Sequence, residues 1–167
     1  MPRIDKPRRV KLIIYAAMTV FCMAAIFFFS AQDADASRGL SDGLLQKVKM
    51  LLALLPSITG QGAEHDIRKY AHLFEYFMLG LSSALFVCKL IADKQSRQLT
   101  AFLCAWVFCA LYACTDEVHQ YFVPGRSAQL SDVMIDSCGA VVGVAIVCII
   151  RAVRYKKRGK RNGKASS

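Results

Sequence analysis

The chain has 167 residues, 55% of them hydrophobic, and a formal net charge of +10. Its length fits a single domain. A nucleic-acid binder of this size would spread its lysines and arginines over a folded surface, whereas here most of them lie towards the two ends and in one central loop. The composition therefore favours a membrane protein with basic flanks, and we expect no nucleic-acid partner.

Four apolar windows are each close to the roughly 20 residues that a helix needs to span a bilayer. They cover about 12–31, 70–91, 99–114 and 133–150. The first window, with its basic start and the Ala34-Asp35-Ala36 that follows, also fits a signal peptide, but its apolar run is longer than a typical signal core. We predict an all-α integral membrane protein with four transmembrane helices, residues 12–150 forming the membrane domain between basic tails of residues 1–11 and 151–167.

The distribution of basic residues predicts the orientation, because cytoplasmic segments retain lysine and arginine. Of the 22 basic residues, 16 lie before the first window, around the loop between the second and third, or after the fourth. Only Asp5 and Asp93 of the 12 acids lie in these segments. We therefore expect both termini in the cytoplasm, where the C-terminal basic run contacts anionic lipid.

A further helix is predicted in the segment between the first two windows. Residues 41–55 carry leucines and a valine near the helical period, begin at the plausible cap Ser41 and end before Pro56. About 15 residues are short for a span. We predict a helix lying on the outer membrane interface, with a fifth span or a re-entrant hairpin as the alternative.

Polar residues collect at the outer ends of the last three windows. Positions i, i+4 and i+7 share one face of a helix, and an ionisable group facing lipid costs at least about 2.5 kcal/mol, so these groups should face the bundle interior or a cavity. One or two ion pairs between helices would be unremarkable, but the excess of acids favours a functional pocket. Gly139 and Gly143 predict close approach of another helix beneath it.

The pocket residues are assigned by their chemistry. Histidine suits general acid and base catalysis, and an arginine after the Pro124-Gly125 turn can hold a phosphate or carboxylate. The catalytic candidates are His72, Glu75, Asp116, Glu117, His119 and Asp136. The substrate-binding candidates are Arg68, Tyr112, Gln120, Arg126 and Asp132. Carboxylate and imidazole ligands suit Mn²⁺, Zn²⁺ or Mg²⁺, but no strict metal motif is present, so the cofactor stays open.

The polar residues also carry a family resemblance. Asp116-Glu117-x-His119-Gln120 followed by Val123-Pro124-Gly125-Arg126, together with His72-x-x-Glu75-Tyr76, resembles the VanZ-like family of bacterial membrane proteins. Tyr112, Asp132, Gly139 and the Ser-Ala-Gln that ends the first window extend the resemblance over residues 12–150. It implies a multi-pass protein of the bacterial cytoplasmic membrane, and the family's named member is associated with resistance to the glycopeptide teicoplanin.

The outer face limits the ligands of the pocket, because nucleotides are not available there. A membrane lipid, a lipid-linked cell-envelope precursor or a glycopeptide is accessible. Two classes of function therefore remain: an enzyme acting on an envelope precursor, and a non-enzymatic protein that binds or transports a lipid or an antibiotic. An assembly partner in the membrane is a third, and it would tolerate isosteric changes such as Asp116→Asn.

Overall fold

The computed structural model describes residues 6–31, 63–91, 97–124 and 129–164. In these ranges the chain forms four α-helices and no strand: α1 (Lys6–Ser30), α2 (Ala63–Ile91), α3 (Gln98–Tyr121) and α4 (Leu130–Lys164). All four are long and apolar enough to cross a membrane. This confirms the predicted all-helical fold with four helices capable of spanning a membrane, while the predicted interfacial helix at residues 41–55 lies outside the described residues.

The helices extend beyond the predicted windows, most clearly in α3 and α4. The third window was expected to end at 114, but α3 continues to Tyr121, and α4 continues from 150 to Lys164. Backbone hydrogen bonding does not stop where the apolar residues stop, and the lysines, arginines and glutamate beyond the windows are good helix formers. The polar run that begins at Asp116 is therefore the last part of α3.

Three glycines allow α2 and α4 to pack with their backbones close together. A Cβ atom at Gly139 would lie 2.5 Å from the carbonyl oxygen of Leu73, and one at Gly143 would collide with the backbone of Phe77. Gly80 faces the backbone of α4 at Ala140 in the same way. The predicted close approach at Gly139 and Gly143 is confirmed, and it fixes the distance between the two helices just beneath the polar residues.

The interior of the bundle holds small and medium apolar side chains in two layers, while many large ones face outwards. One layer contains Ala84, Cys88, Ala101, Ala105, Val144 and Val147, and the other contains Ile26, Tyr76, Leu79, Cys109, Ala113 and Ala140. On α1, Ile13, Phe21 and Phe28 are exposed. Such an outward apolar surface suits helices that are surrounded by lipid.

The two ends of the bundle differ in charge. At one end the guanidinium of Arg8 on α1 donates a 3.3 Å hydrogen bond to the carbonyl oxygen of Lys89 on α2, and Arg151 of α4 lies near Cys88. At the other end the last residue of α1, Ser30, contacts Asp116 of α3. The helices therefore alternate in direction, with a basic end and an opposite end that carries the polar residues.

Candidate functional site

Three side chains from three helices converge at the polar end of the bundle: His72 of α2, Asp116 of α3 and Asp136 of α4. One ligand atom of each lies within 4.8 Å of the other two. Both aspartates are buried, with 4% and 2% of their surface exposed, and His72 is partly buried. We call these three residues the acid–histidine group, and it unites three of the predicted catalytic candidates.

The two oxygens of Asp116 have different surroundings. Its Oδ2 accepts hydrogen bonds from the Ser30 hydroxyl at 2.8 Å and from the Gln120 amide at 3.1 Å. The same amide donates to the Ser30 oxygen at 3.3 Å. Its Oδ1 is buried and makes no hydrogen bond of ordinary geometry among the residues that the structure describes, although the Tyr76 hydroxyl interacts with the same carboxylate. The side chain is thus fixed through Oδ2, while Oδ1 is held less firmly.

His72 and Glu75 lie beside each other, one turn apart on α2. The Nδ1 atom of His72 is 3.7 Å from Oε2 of Glu75, and the two side chains are 16% and 20% exposed. Glu75 is also within electrostatic reach of Asp136. The expectation that Glu75 and Asp136 share one polar region therefore agrees with their positions.

Two tyrosines lie next to the acid–histidine group on the side of the core. Tyr76 is fully buried and within electrostatic reach of Asp116 and Asp136. Tyr112, a predicted substrate-binding residue, donates its hydroxyl to the carbonyl oxygen of Met23 at 2.7 Å. In this arrangement the Tyr112 hydroxyl joins α3 to α1.

Glu117 and Asp132 lie at the junction between α3 and α4. Oε2 of Glu117 accepts a 2.8 Å hydrogen bond from the backbone N–H of Gln129, which stands immediately before α4. Asp132 lies in the first turn of α4, where a negative charge interacts favourably with the helix dipole. Glu117 therefore positions the start of the helix that carries Asp132 and Asp136.

His119 is directed towards α1. Its ring stacks on Phe27 with the ring centroids 4.5 Å apart and the planes inclined by 27°. Its Nε2 atom is buried without a hydrogen-bond partner among the described residues. His119 thus lies near Asp116 in sequence but outside the acid–histidine group, and its predicted catalytic role stays a prediction.

A small cleft opens beside the acid–histidine group, with a volume of about 30 Å³. Its lining residues are Lys69, His72, Glu117, Gln120, Asp132, Ile135 and Asp136. One water needs roughly 10–15 Å³ of such space, so the cleft holds about two waters or a hydrated ion. It can admit the tip of a polar headgroup, such as a phosphate oxygen, but not a whole lipid.

The electrostatics of the site are dominated by acids. Glu75, Asp116, Glu117 and Asp132 all act on Asp136. Two ionised carboxylates within 4.8 Å of each other repel each other by at least about 3.5 kcal/mol at an effective dielectric constant of about 20. Lys69 brings one positive charge to the lining of the cleft. The arrangement therefore suits a bound cation, and an anion would bind more readily through such a cation.

Four residues of the site were not among the predicted site residues: Ser30 and Tyr76 at the acid–histidine group, and Lys69 and Ile135 in the lining of the cleft. Ser30 is fully buried and holds Asp116, whereas in the sequence it was noted only within the Ser-Ala-Gln of the family resemblance. Tyr76 follows Glu75 directly and was noted only as part of the family resemblance. The predicted substrate-binding residue Arg126 and the side chain of Arg68 lie outside the described part of the structure.

Comparison with known proteins gives one match, to a protein family. The model of the family described as VanZ/LLP1 matches residues 14–151. No curated protein and no solved structure matches the chain. The matched segment contains every residue of the acid–histidine group and of the cleft, together with Ser30.

Proposed function

We propose that this chain, which belongs to the VanZ/LLP1 family, binds the polar headgroup of a lipid-linked cell-envelope precursor at the outer surface of the bacterial cytoplasmic membrane. The observation that carries the proposal is the convergence of His72, Asp116 and Asp136 beside an open cleft at one end of the bundle. Groups of buried ionisable side chains at the mouth of a cleft are typical of functional sites.

The charge asymmetry supports an outer location for the cleft. Arg8 and Arg151 lie at the end of the bundle opposite the acid–histidine group, and basic residues flanking spans are retained in the cytoplasm. The polar end then faces outwards, where lipid-linked precursors are exposed and nucleotides are absent.

The surroundings of the cleft support an amphipathic ligand. Tyr70, Leu130 and Met134 are 66%, 79% and 65% exposed, and in sequence they are next to, or within two residues of, the cleft residues Lys69, Asp132 and Ile135. The helices that line the cleft therefore also carry exposed apolar side chains at the same end. A ligand with a polar head and an apolar tail would place its head in the cleft and its tail against this apolar surface, from which a free sugar or peptide would gain nothing.

Two activities fit such a ligand. A reaction on the headgroup would use His72 as acid or base beside Asp136, and the alternative is a non-enzymatic protein that binds or transports the precursor or an antibiotic. The resemblance associates the family's named member with teicoplanin resistance, which fits either activity because the drug and the precursor meet at the same membrane face.

The experiment compares Asp136→Asn and His72→Gln with Ser137→Ala, a neighbour on α4 that does not line the cleft. Each variant is produced in a bacterial host, its amount in the membrane is measured, co-purified lipids are identified by mass spectrometry, and teicoplanin susceptibility is recorded. We expect the wild type and Ser137→Ala to carry an enriched precursor lipid, and the first two variants to change either the amount of this bound lipid or its conversion.

The lipid profiles also separate the two activities. If the protein is an enzyme, Asp136→Asn still binds the precursor, but the ratio of precursor to product in the cell changes. If the protein is a binder, Asp136→Asn no longer binds the precursor, and the amount of product in the cell stays the same. If the wild type carries the same lipids as the surrounding membrane, the proposed function is wrong.

A further inference from the structure

We propose that His72, Asp116 and Asp136 bind one divalent transition-metal ion, Zn²⁺ or Mn²⁺, at the base of the cleft. The inference deepens the proposed function, because the ion would be the group that receives an anionic headgroup.

The spacing of the three side chains fits an ion between them. Their ligand atoms are at most 4.8 Å apart. Two ligands on opposite sides of an ion with bonds of about 2.0–2.4 Å are about 4.0–4.8 Å apart. One ion can therefore contact all three atoms with little movement of the helices.

The buried oxygen of Asp116 points independently to a ligand. Only 4% of the surface of Asp116 is exposed. Its Oδ1 makes no hydrogen bond of ordinary geometry among the described residues, and neither does the buried hydroxyl of Tyr76, which interacts with the same carboxylate. A buried carboxylate oxygen without a partner is costly, and the neighbouring carboxylate of Asp136 increases the cost. A cation beside Oδ1 removes both penalties.

The donor set favours a transition metal over Mg²⁺ or Ca²⁺. Imidazole suits Zn²⁺ and other transition ions, while carboxylates suit Mn²⁺ and bind Zn²⁺ as well. Three protein ligands leave at least one coordination position open, as in catalytic metal sites. His72 and Asp136 line the cleft, so the open position would face the space in which a headgroup oxygen or a water lies.

Neighbouring side chains already orient two of the three ligands. Ser30 and Gln120 hold Oδ2 of Asp116, and the carboxylate of Glu75 lies near Nδ1 of His72. A carboxylate beside the imidazole and hydrogen bonds to a ligating carboxylate are typical surroundings of a metal site. They would keep the ligands in position before the ion binds.

The metal would explain how an acid-rich cleft receives an anion. The lining contains the positive charge of Lys69 and the three acids Glu117, Asp132 and Asp136. A divalent ion adds two positive charges between the acids, and its open position can bind a phosphate oxygen directly. The ligand class that follows is a phosphate-bearing lipid headgroup.

The test measures metal content in the full-length chain, purified in detergent through a tag that contains no histidine. The protein is stripped with chelator, dialysed separately against Zn²⁺ and Mn²⁺, and analysed by inductively coupled plasma mass spectrometry. We expect about one ion per chain for the wild type with at least one of the metals. Asp136→Asn and His72→Gln should bind at least about tenfold more weakly.

Two matched variants control for general loss of charge or imidazole. Asp132→Asn removes an acid that lines the same cleft, and His119→Gln removes a histidine near the same end of α3, yet neither belongs to the acid–histidine group. Both should keep about one ion per chain, with a smaller loss of affinity in Asp132→Asn than in Asp136→Asn because Asp132 acts on the site only through its charge. The thermal unfolding transition of each variant, measured without metal, shows whether a variant that loses the metal is still folded.

Two results would overturn the metal site. The first is a folded wild type that binds neither ion, and the second is equal loss of metal in the control variants and in Asp136→Asn. Because no lipid is needed for this measurement, its failure is distinct from failure of the proposed function: a chain without metal that still enriches a precursor lipid would retain the function and lose the ion.

Discussion

Ser30 and Asp116 are 86 residues apart in the chain, yet the Ser30 hydroxyl donates a 2.8 Å hydrogen bond to Oδ2 of Asp116. Both side chains are buried, at 0% and 4% exposure. Through this bond the end of α1 orients an acid of α3 towards His72 and Asp136. The first helix is therefore part of the site and not merely a membrane anchor.

Ser30→Ala tests this contact. The change leaves Oδ2 of Asp116 with the Gln120 amide as its remaining hydrogen-bond donor among the described residues, and losing a buried hydrogen bond to a charged group costs about 1.5–3 kcal/mol. We expect a lower unfolding temperature in detergent and roughly tenfold weaker metal binding, since residues that orient a ligand affect affinity to that extent.

Thr19→Ala is the matched control for Ser30→Ala. Thr19 is also a buried hydroxyl residue of α1, but it donates to the carbonyl oxygen of Tyr15 in its own helix. We expect little change in metal binding. Equal loss of metal binding in both variants would mean that Ser30 acts through the general stability of α1.

Gly139→Ala tests the packing beneath the site. The added methyl group would lie 2.5 Å from the carbonyl oxygen of Leu73, so α2 and α4 must separate. Such overpacking typically costs about 1–3 kcal/mol, and the separation would move His72 away from Asp136. We expect lower thermal stability together with lower metal affinity.

The control for Gly139→Ala is Cys138→Ala, on the exposed side of the same turn. It should leave both quantities near their wild-type values. A stable Gly139→Ala protein with unchanged metal binding would contradict the dependence of the site on this helix spacing.

The membrane orientation can be tested with a membrane-impermeant thiol reagent on intact cells. In a background without native cysteines, Gln129→Cys near the cleft should react, while Arg97→Cys at the basic end should not. Both residues are exposed in the structure, so a difference reports the side of the membrane. Labelling at Arg97 from outside would place the cleft in the cytoplasm.

Arg126→Lys tests the predicted anion contact in the turn after α3. Lysine keeps the charge but lacks the planar fork that binds a phosphate or carboxylate through two hydrogen bonds. We expect reduced retention of the precursor lipid at a normal amount of protein in the membrane. Arg154→Lys, an exposed change near the opposite end, serves as the control, and equal retention in both variants would exclude a bidentate role.

The sequence predicts four helices capable of spanning a membrane because each leaves a continuous apolar run, and it predicts the glycine contact because Gly139 and Gly143 share one face. It also places Asp116 and His119 on the third helix, as observed, but it does not predict how far α4 extends beyond residue 150. Apolar residues are needed only where the helix lies in lipid. The helix itself is held by backbone hydrogen bonds, and these continue through Asp116 to Tyr121.

The composition of the site is predicted better than its arrangement. Positions three apart on a helix differ by about 60° around the axis, so the sequence could not decide whether Asp116 and His119 face the same neighbour. In the structure Asp116 faces Asp136 and Ser30, while His119 stacks on Phe27. Ser30 was missed for a related reason, since its partner is determined by how α1 packs on α3.

The most direct test of a headgroup site is photo-crosslinking from α4 in living cells. A photoreactive amino acid at Ile135, which lines the cleft, is compared with one at Ile146, which is exposed further along the same helix. The proposed function predicts that position 135 captures a phosphate-bearing, lipid-linked envelope precursor and that position 146 captures bulk phospholipid. The same bulk phospholipids at both positions would contradict it.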